Sequence, residues 1–230
     1  MILAPAGVEP PVPRLLEALV SRGHRVVCDG GAAMREDDPA VVLCAGGTSP
    51  AALDAMLARA RGMAQARVLV LSRLGAHPDA RAAGLAALWA LEERARARGL
   101  PALTLRLGPL VGPRSPLWLR LRARPKLPHA GRQLLNPVRE ADAVETLARA
   151  LDGRAEWRGW YEVAGPDAWT LAELAALARE SGPALPRGAG AWEPPLDEMT
   201  DHRLAEAGPW LAHFGLTAHP VAGLATEPAA

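Results

Sequence analysis

Short apolar runs alternate along the chain with longer stretches in which apolar residues recur at helical spacing. Met1 to Ala4 predicts a first strand, and Leu15, Leu16, Leu19 and Val20 predict a helix from about Pro13 that Gly23 ends. Arg25 to Cys28, Val41 to Ala45 and Arg67 to Ser72 predict further strands. Ala51 to Arg61 is read as a helix with Leu53, Met56 and Leu57 on one face. Ala80 to Arg98 is read as another, with Asp79 as its N-cap. Gly99-Leu100-Pro101 separates that helix from a strand over Ala102 to Leu107. These strands are apolar on both faces, as in a parallel sheet covered by helices on each side. The expected class is α/β, a doubly wound Rossmann-like sheet.

The second half is less regular. Pro109 to Arg132 is rich in Pro and Arg, Val138 to Leu151 predicts a helix, Trp160 to Val163 a strand and Leu171 to Arg179 a helix. Pro, Gly and Ala dominate from Ser181, with a short helix expected around Asp201 to Phe214. The expected organisation is a core over 1–112 and a second part over 113–230 that completes the sheet and adds a small lobe.

Half of the 230 residues are hydrophobic, enough for a substantial core, and 26 basic against 25 acidic side chains give a formal charge of +1. That balance gives no general reason to expect nucleic acid as a partner. No apolar run reaches the ~18 residues of a spanning helix and no secretory leader is evident, so the cytoplasm is the default compartment and any membrane contact would be peripheral. Cys28 and Cys44 fall in strand-like runs and are expected to be packed residues rather than a disulfide or a nucleophile, and the six scattered histidines have no metal-ligand spacing.

Several strings in order carry a resemblance. They are Ser21-Arg22-Gly23-His24-Arg25-Val26, Val41-Val42-Leu43-Cys44-Ala45-Gly46, Val68 to Ala76, Gly99 to Arg106, Gly112-Pro113, Asn136-Pro137-Val138 with Asp142, Tyr161 to Pro166 and Phe214-Gly215-Leu216-Thr217. Together they resemble the atypical and extended short-chain dehydrogenases, the epimerase/dehydratase-like branch that binds NAD or NADP on a Rossmann sheet. The resemblance implies glycines in the first turn, a Tyr-x-x-x-Lys pair and an assisting Ser or Thr.

This chain departs at each. The glycine positions fall on Ala6, Glu9 and Val12, where Pro10, Pro11 and Pro13 also remove backbone donors. The tyrosine and lysine positions fall on Gly84 and Leu88, a common acid on Glu92, and the Ser/Thr position on Arg73, with Ser72 one residue early. The only tyrosine, Tyr161, and only lysine, Lys126, stand elsewhere. Only Gly30 to Ala40 separates the second strand from the third, so the sheet is expected to be shortened, with a more exposed edge, and Asp29 is read as a turn residue.

Local charge is uneven. No acid lies between Glu93 and Glu140, a stretch containing Arg106, Trp118, Arg120, Arg122, Arg124, Lys126 and Arg132. These residues are candidates for an anion clamp, a lid or a cationic contact with a partner, against a solvated face whose arginine stems cover apolar surface. Trp157, Trp160, Trp169, Trp192 and Trp210 are expected to be packing residues. The combined expectation is a non-catalytic relative without a cofactor, with no catalytic or metal residues, serving a protein partner or homo-oligomer as accessory subunit, scaffold or regulator. The alternative is an NAD- or NADP-dependent epimerase, dehydratase or reductase acting on a nucleotide-sugar or similar small molecule.

Overall fold

A computed structural model describes residues 1–5, 12–28, 40–63, 65–183, 185–186 and 188–225. The chain forms two compact units that interleave along the sequence, Met1–Arg106 with Asp152–Tyr161, and Leu107–Leu151 with Glu162–Ala230.

The first unit is built on a sheet. Its strands are β1 (Ile2–Ala4), β2 (Val26–Cys28), β3 (Val41–Cys44), β4 (Arg67–Arg73) and β5 (Ala102–Leu107). A later strand, β9 (Trp160–Val163), completes the order β2-β1-β3-β4-β5-β9. β1 pairs in parallel with both β2 and β3, and β3 with β4. Strand order reverses between β1 and β3, the kind of switch point where open α/β sheets bind ligands beyond their carboxyl ends. Helices α1 (Val12–Ser21), α2 (Pro50–Ala60) and α3 (Ala83–Arg96) supply the layers. Leu3, Val42, Val68 and Val70 pack with Leu53, Met56, Leu57, Leu85, Leu88 and Leu91 in one core. Ile2, Leu43, Leu69 and Leu71 are buried as well, so the strands are apolar on both faces as the pattern predicts.

The boundaries differ where local hydrogen bonding wins. Ser49 caps α2 by accepting from Ala52 N at 3.1 Å, and Pro50 sits where no helical N–H is needed. Helix α3 starts three residues later than expected. Asp79 does not cap it: Ala80 N donates to His77 O, Asp79 N donates to His77 Nδ1, and the N-cap is Ala82, with no side-chain bond. The residues expected to form the first turn, Ala6 and Glu9 among them, and the interval from Asp29 through Pro39, lie outside the described residues; Val12 opens α1 and is buried.

The second unit contains β6 (Leu110–Val111) paired in parallel with β8 (Val138–Arg139), and β7 (Leu134–Leu135) paired antiparallel with β10 (Trp169–Thr170). Its helices are α4 (Pro116–Arg122), α5 (Glu140–Leu151), α6 (Leu171–Glu180) and α7 (Gly208–Phe214). Val111, Leu117, Trp118, Leu121, Leu171, Leu174 and Met199 form its core. The expected Val138–Leu151 helix is two elements, a short strand and then α5. The helix expected from Asp201 begins only at Gly208, because Arg203 N and Asn136 N are engaged in bridging bonds to Leu134 O and Arg203 O. Gly165 is required by close approach: a Cβ there would lie 2.0 Å from Pro137 O. No helix among the described residues is long and apolar enough to cross a membrane.

Candidate functional site

The first unit holds a cavity of about 130 Å³ at the carboxyl ends of β3 and β4. The backbone after β3 turns sharply, with Thr48 N donating to Ala45 O and Ala45 N to Thr48 Oγ1, both at 3.0 Å, and Gly47 at a φ of 81°. Ala45, Gly46, Gly47 and Thr48 form one wall, Arg73 at the end of β4 another. Gly84, Ala87, Leu88 and Leu91 form the third, a single face of α3 at helical spacing.

Three of these residues are the positions that the resemblance assigns to catalysis. Gly84, Leu88 and Arg73 come together around one cavity. Gly84 presents no hydroxyl. Leu88 is buried to 4 % exposure as part of the core, so the lysine position has been absorbed into packing. Arg73 is the only ionisable side chain among the nine lining residues. Ser72 is buried and outside the lining, as strand alternation requires, and its Oγ has no hydrogen-bond partner.

Glu92 serves Arg106 instead of the cavity. Arg106 donates from Nε at 3.1 Å and from Nη2 at 2.7 Å to the two carboxylate oxygens of Glu92, which is fully buried. The guanidinium also lies 5.3 Å from the ring centre of Trp89 and 4.3 Å from that of Trp160. Sequence reasoning misses this cage because its members are spread over a helix and two strands.

The basic candidates accordingly divide. Arg106, expected at a contact surface, is a buried member of the first unit. Trp118 is likewise buried, in the core of the second unit, where its Nε1 donates to Ser181 Oγ at 3.0 Å. Both are corrected from contact to packing residues. Arg120 and Arg122 are half-buried: Arg120 lies 5.7 Å from the ring centre of Trp192, and Arg122 Nη2 donates to Pro183 O at 2.8 Å. Their stems cover apolar surface on α4, and the Nε of each is shut from water with no acceptor. Arg124 and Arg132 are exposed, with Arg132 Nε donating to His129 O at 3.3 Å. The signal for α4 was present in Ser115-Pro116, since Ser115 Oγ caps the helix by accepting from Trp118 N.

Other chemistry-bearing groups are structural. Cys44 is a free, buried thiol whose pKa burial pushes up to about 12, which removes it as a nucleophile. The buried Asp142 carboxylate accepts from His219 N at 2.9 Å and lies 2.6 Å from His219 Nδ1, tying the segment after α7 to α5. Trp210 is fully buried and donates to Thr146 Oγ1 at 3.0 Å, whereas Trp160 is 49 % exposed. No cluster of metal-binding side chains occurs among the described residues.

A parallel sheet with its switch point between β1 and β3, and helices packed on it, defines a Rossmann-like α/β protein. Within that class the fold matches solved dehydratase and epimerase structures. No family model matches the sequence, and no curated protein matches it either. Solved structures do match. MoeE5 in complex with UDP-glucose and NAD superposes with a TM-score of 0.66 at 18 % identity, over 98 % of this chain and 96 % of that one. TunA, an NAD-dependent NDP-hexosamine 5,6-dehydratase involved in tunicamycin biosynthesis, gives 0.65 at 14 % identity, over 98 % and 95 %. The ADP-L-glycero-D-manno-heptose-6-epimerase of Helicobacter pylori gives 0.64 at 16 % identity, over 97 % and 93 %. These structures overturn the expectation of a fold without a cofactor: MoeE5 carries NAD, and TunA depends on it, on a fold that matches 98 % of this chain.

Proposed function

We propose that this chain binds NAD or NADP on its first unit and acts on a nucleotide-sugar or similar small molecule as an epimerase, dehydratase or reductase. The observation that carries this reading is the cavity beyond β3 and β4, close in the sheet to the β1/β3 switch point, on a fold whose solved neighbours use NAD. The loop residues there suit a nucleotide. Gly46 and Gly47 have no side chains to hold a ligand away from the backbone, and Ala45 and Thr48 complete the wall. When bound, the dinucleotide supplies hydride transfer. The residues of this chain position it, and the apolar face of Leu88 and Leu91 keeps water from that side. The sequence Glu9-Pro10-Pro11, between β1 and α1 along the chain, implies weaker phosphate binding than three glycines there would provide. Titration of NADH and NADPH, followed by cofactor fluorescence and calorimetry, should saturate at micromolar to millimolar concentration; no saturation overturns the proposal.

One observation favours a second reading. Gly84 and Leu88 leave the α3 wall without a proton donor, which suits a protein that holds a dinucleotide without turning it over and acts as an accessory or regulatory subunit for a protein partner. Dinucleotide binding with no epimerised, dehydrated, oxidised or reduced product from any of a panel of UDP- and ADP-sugars, followed by chromatography and mass spectrometry, together with a specific partner on copurification, supports that reading. Turnover of any of them excludes it.

A further inference from the structure

We infer that residues 202–206 of the second unit form an open sheet edge that pairs with the same residues of a second copy of this chain, antiparallel about a two-fold axis at Leu204. The segment already lies as a strand beside β7. Arg203 N donates to Leu134 O at 2.8 Å and Asn136 N donates to Arg203 O at 2.9 Å, a parallel bridge between Arg203 and Leu135. Ala205 N follows on the same side, donating to Asn136 Oδ1 at 3.1 Å. With these groups turned to β7, the N–H and C=O of Leu204 point the other way. Neither has a hydrogen-bond partner among the described residues, and the side chain is 51 % exposed. Such edges are ordinarily blunted by lysine, proline or a charge. Residues 202–206 contain neither Lys nor Pro, and Arg203 is folded back, its Nε and Nη2 donating to Glu198 O at 3.1 and 2.9 Å.

The side chains select a second copy as the occupant. His202, Leu204 and Glu206 are exposed and alternate with the half-buried Arg203 and Ala205, so the three stand on one face of the strand. Antiparallel pairing centred on Leu204 sets the two leucines side by side and places His202 opposite the partner's Glu206 at both ends. Those two side chains are complementary. Leu134 N donates to His202 Nδ1 at 2.9 Å, which makes Nδ1 the acceptor and leaves the ring proton on Nε2 as a donor. The exposed Glu206 carboxylate, an acceptor, has no hydrogen-bond or ion-pair partner among the described residues. The inference goes beyond the reading above and does not depend on dinucleotide binding.

The test is sedimentation equilibrium of the full chain from ~1 μM to ~1 mM, with hydrogen exchange of the peptide spanning residues 202–206 followed at both ends of that range. A reversible dimer is expected, with exchange at Leu204 slowing as the dimer fills. Glu206→Arg sets a cation against the partner's His202 at both ends and should weaken the dimer by ~10-fold or more; His202→Glu with Glu206→Arg reverses the pair and should recover most of that loss. Leu204→Cys should join two copies through a short bis-maleimide, whereas the parent chain and Asp197→Cys, at another exposed position, should not. A monomer throughout the range, a dimer indifferent to Glu206→Arg or not restored by the reversed pair, exchange at Leu204 independent of concentration, or Leu204→Cys joined no better than the parent would each overturn the inference.

Discussion

Removing the Glu92 carboxylate while keeping its shape, as in Glu92→Gln, tests the Arg106 cage most directly. Arg106 is 8 % exposed and Glu92 fully buried, so the substitution leaves a guanidinium with little access to water opposite a side-chain amide that accepts at only one of its two terminal atoms. Breaking a buried pair from one side costs about 3–5 kcal/mol. Trp89 and Trp160 remain stacked near the cation and return up to about 2 kcal/mol only if they already contribute as much in the intact protein, so they do not reduce the difference. A loss near 3 kcal/mol is a large part of a total stability of roughly 5–15 kcal/mol. With a urea m-value of about 1–3 kcal/mol/M, it lowers the unfolding midpoint by roughly 1–3 M. Equilibrium urea unfolding followed by tryptophan fluorescence measures this, because two indoles flank the affected cation. The double variant Glu92→Leu/Arg106→Met, which replaces the pair with apolar groups, should return to within about 1 kcal/mol of the parent. A midpoint unchanged by Glu92→Gln, or a double variant as unstable as the single one, would refute the account of a buried pair whose halves depend on each other.

Four further outcomes are expected. Cys44 should resist iodoacetamide at pH 8 in the folded protein and react on denaturation, as peptide mass spectrometry would reveal; labelling of Cys44 in the native state contradicts its burial. Thr170→Ala removes the cap of α6, in which Thr170 Oγ1 accepts from Glu173 N and Glu173 accepts from Thr170 N and Oγ1, and should cost about 1 kcal/mol in thermal unfolding. These bonds hold the Glu173 carboxyl below the usual range, so its contribution is present above the unfolded-state value and is lost as pH falls through the lowered one. The gap between Thr170→Ala and the parent should therefore narrow in acid, and a gap that widens would be inconsistent with the capping bonds. Gly165→Ala places a methyl against Pro137 O and should cost about 3 kcal/mol or more in chemical denaturation, with a silent substitution ruling out the close approach. Leu88→Lys, even beside Gly84→Tyr, should lower the melting temperature and give no hydride-transfer activity, because Leu88 packs in the core as well as lining the cavity; a stable, active double variant would show that the cavity wall accepts a lysine there.

The sheet was legible because its strands carry the unbroken apolar runs of a twice-covered parallel layer, and Val41–Cys44 and Arg67–Arg73 fall where those runs predict. Counting back from Gly99 gives Gly84 and Leu88, and both lie on the α3 face that lines the candidate cavity with Arg73. What a linear pattern does not carry is the depth of a charged residue. Arg106 belongs to a run of arginines that reads as a surface, and only its pairing with Glu92, brought close by the crossing of helix on strand, takes it inside. The start of α3 was misplaced for a similar reason: Asp79 is a good cap by composition, but the turn closed on His77 O already uses that backbone. The expectation of no cofactor came from departures from a motif, whereas the fold is shared with solved neighbours that carry or depend on NAD.

The interleaving of the two units has a consequence for synthesis on the ribosome. β5 ends at Leu107, but the strand that lies beside it in the sheet, β9, begins only at Trp160. At about 5–20 residues per second, the intervening residues 108–159 take roughly 3–10 s to emerge. During that interval the nascent sheet ends at β5 with its outer hydrogen-bonding groups unpaired, among them Thr104 N, whose acceptor is Gly159 O. The protein is thus open to strand pairing with a neighbouring copy for a period set by translation speed, and slow codons placed between positions 108 and 159 should raise its aggregation without changing a single residue of the finished chain.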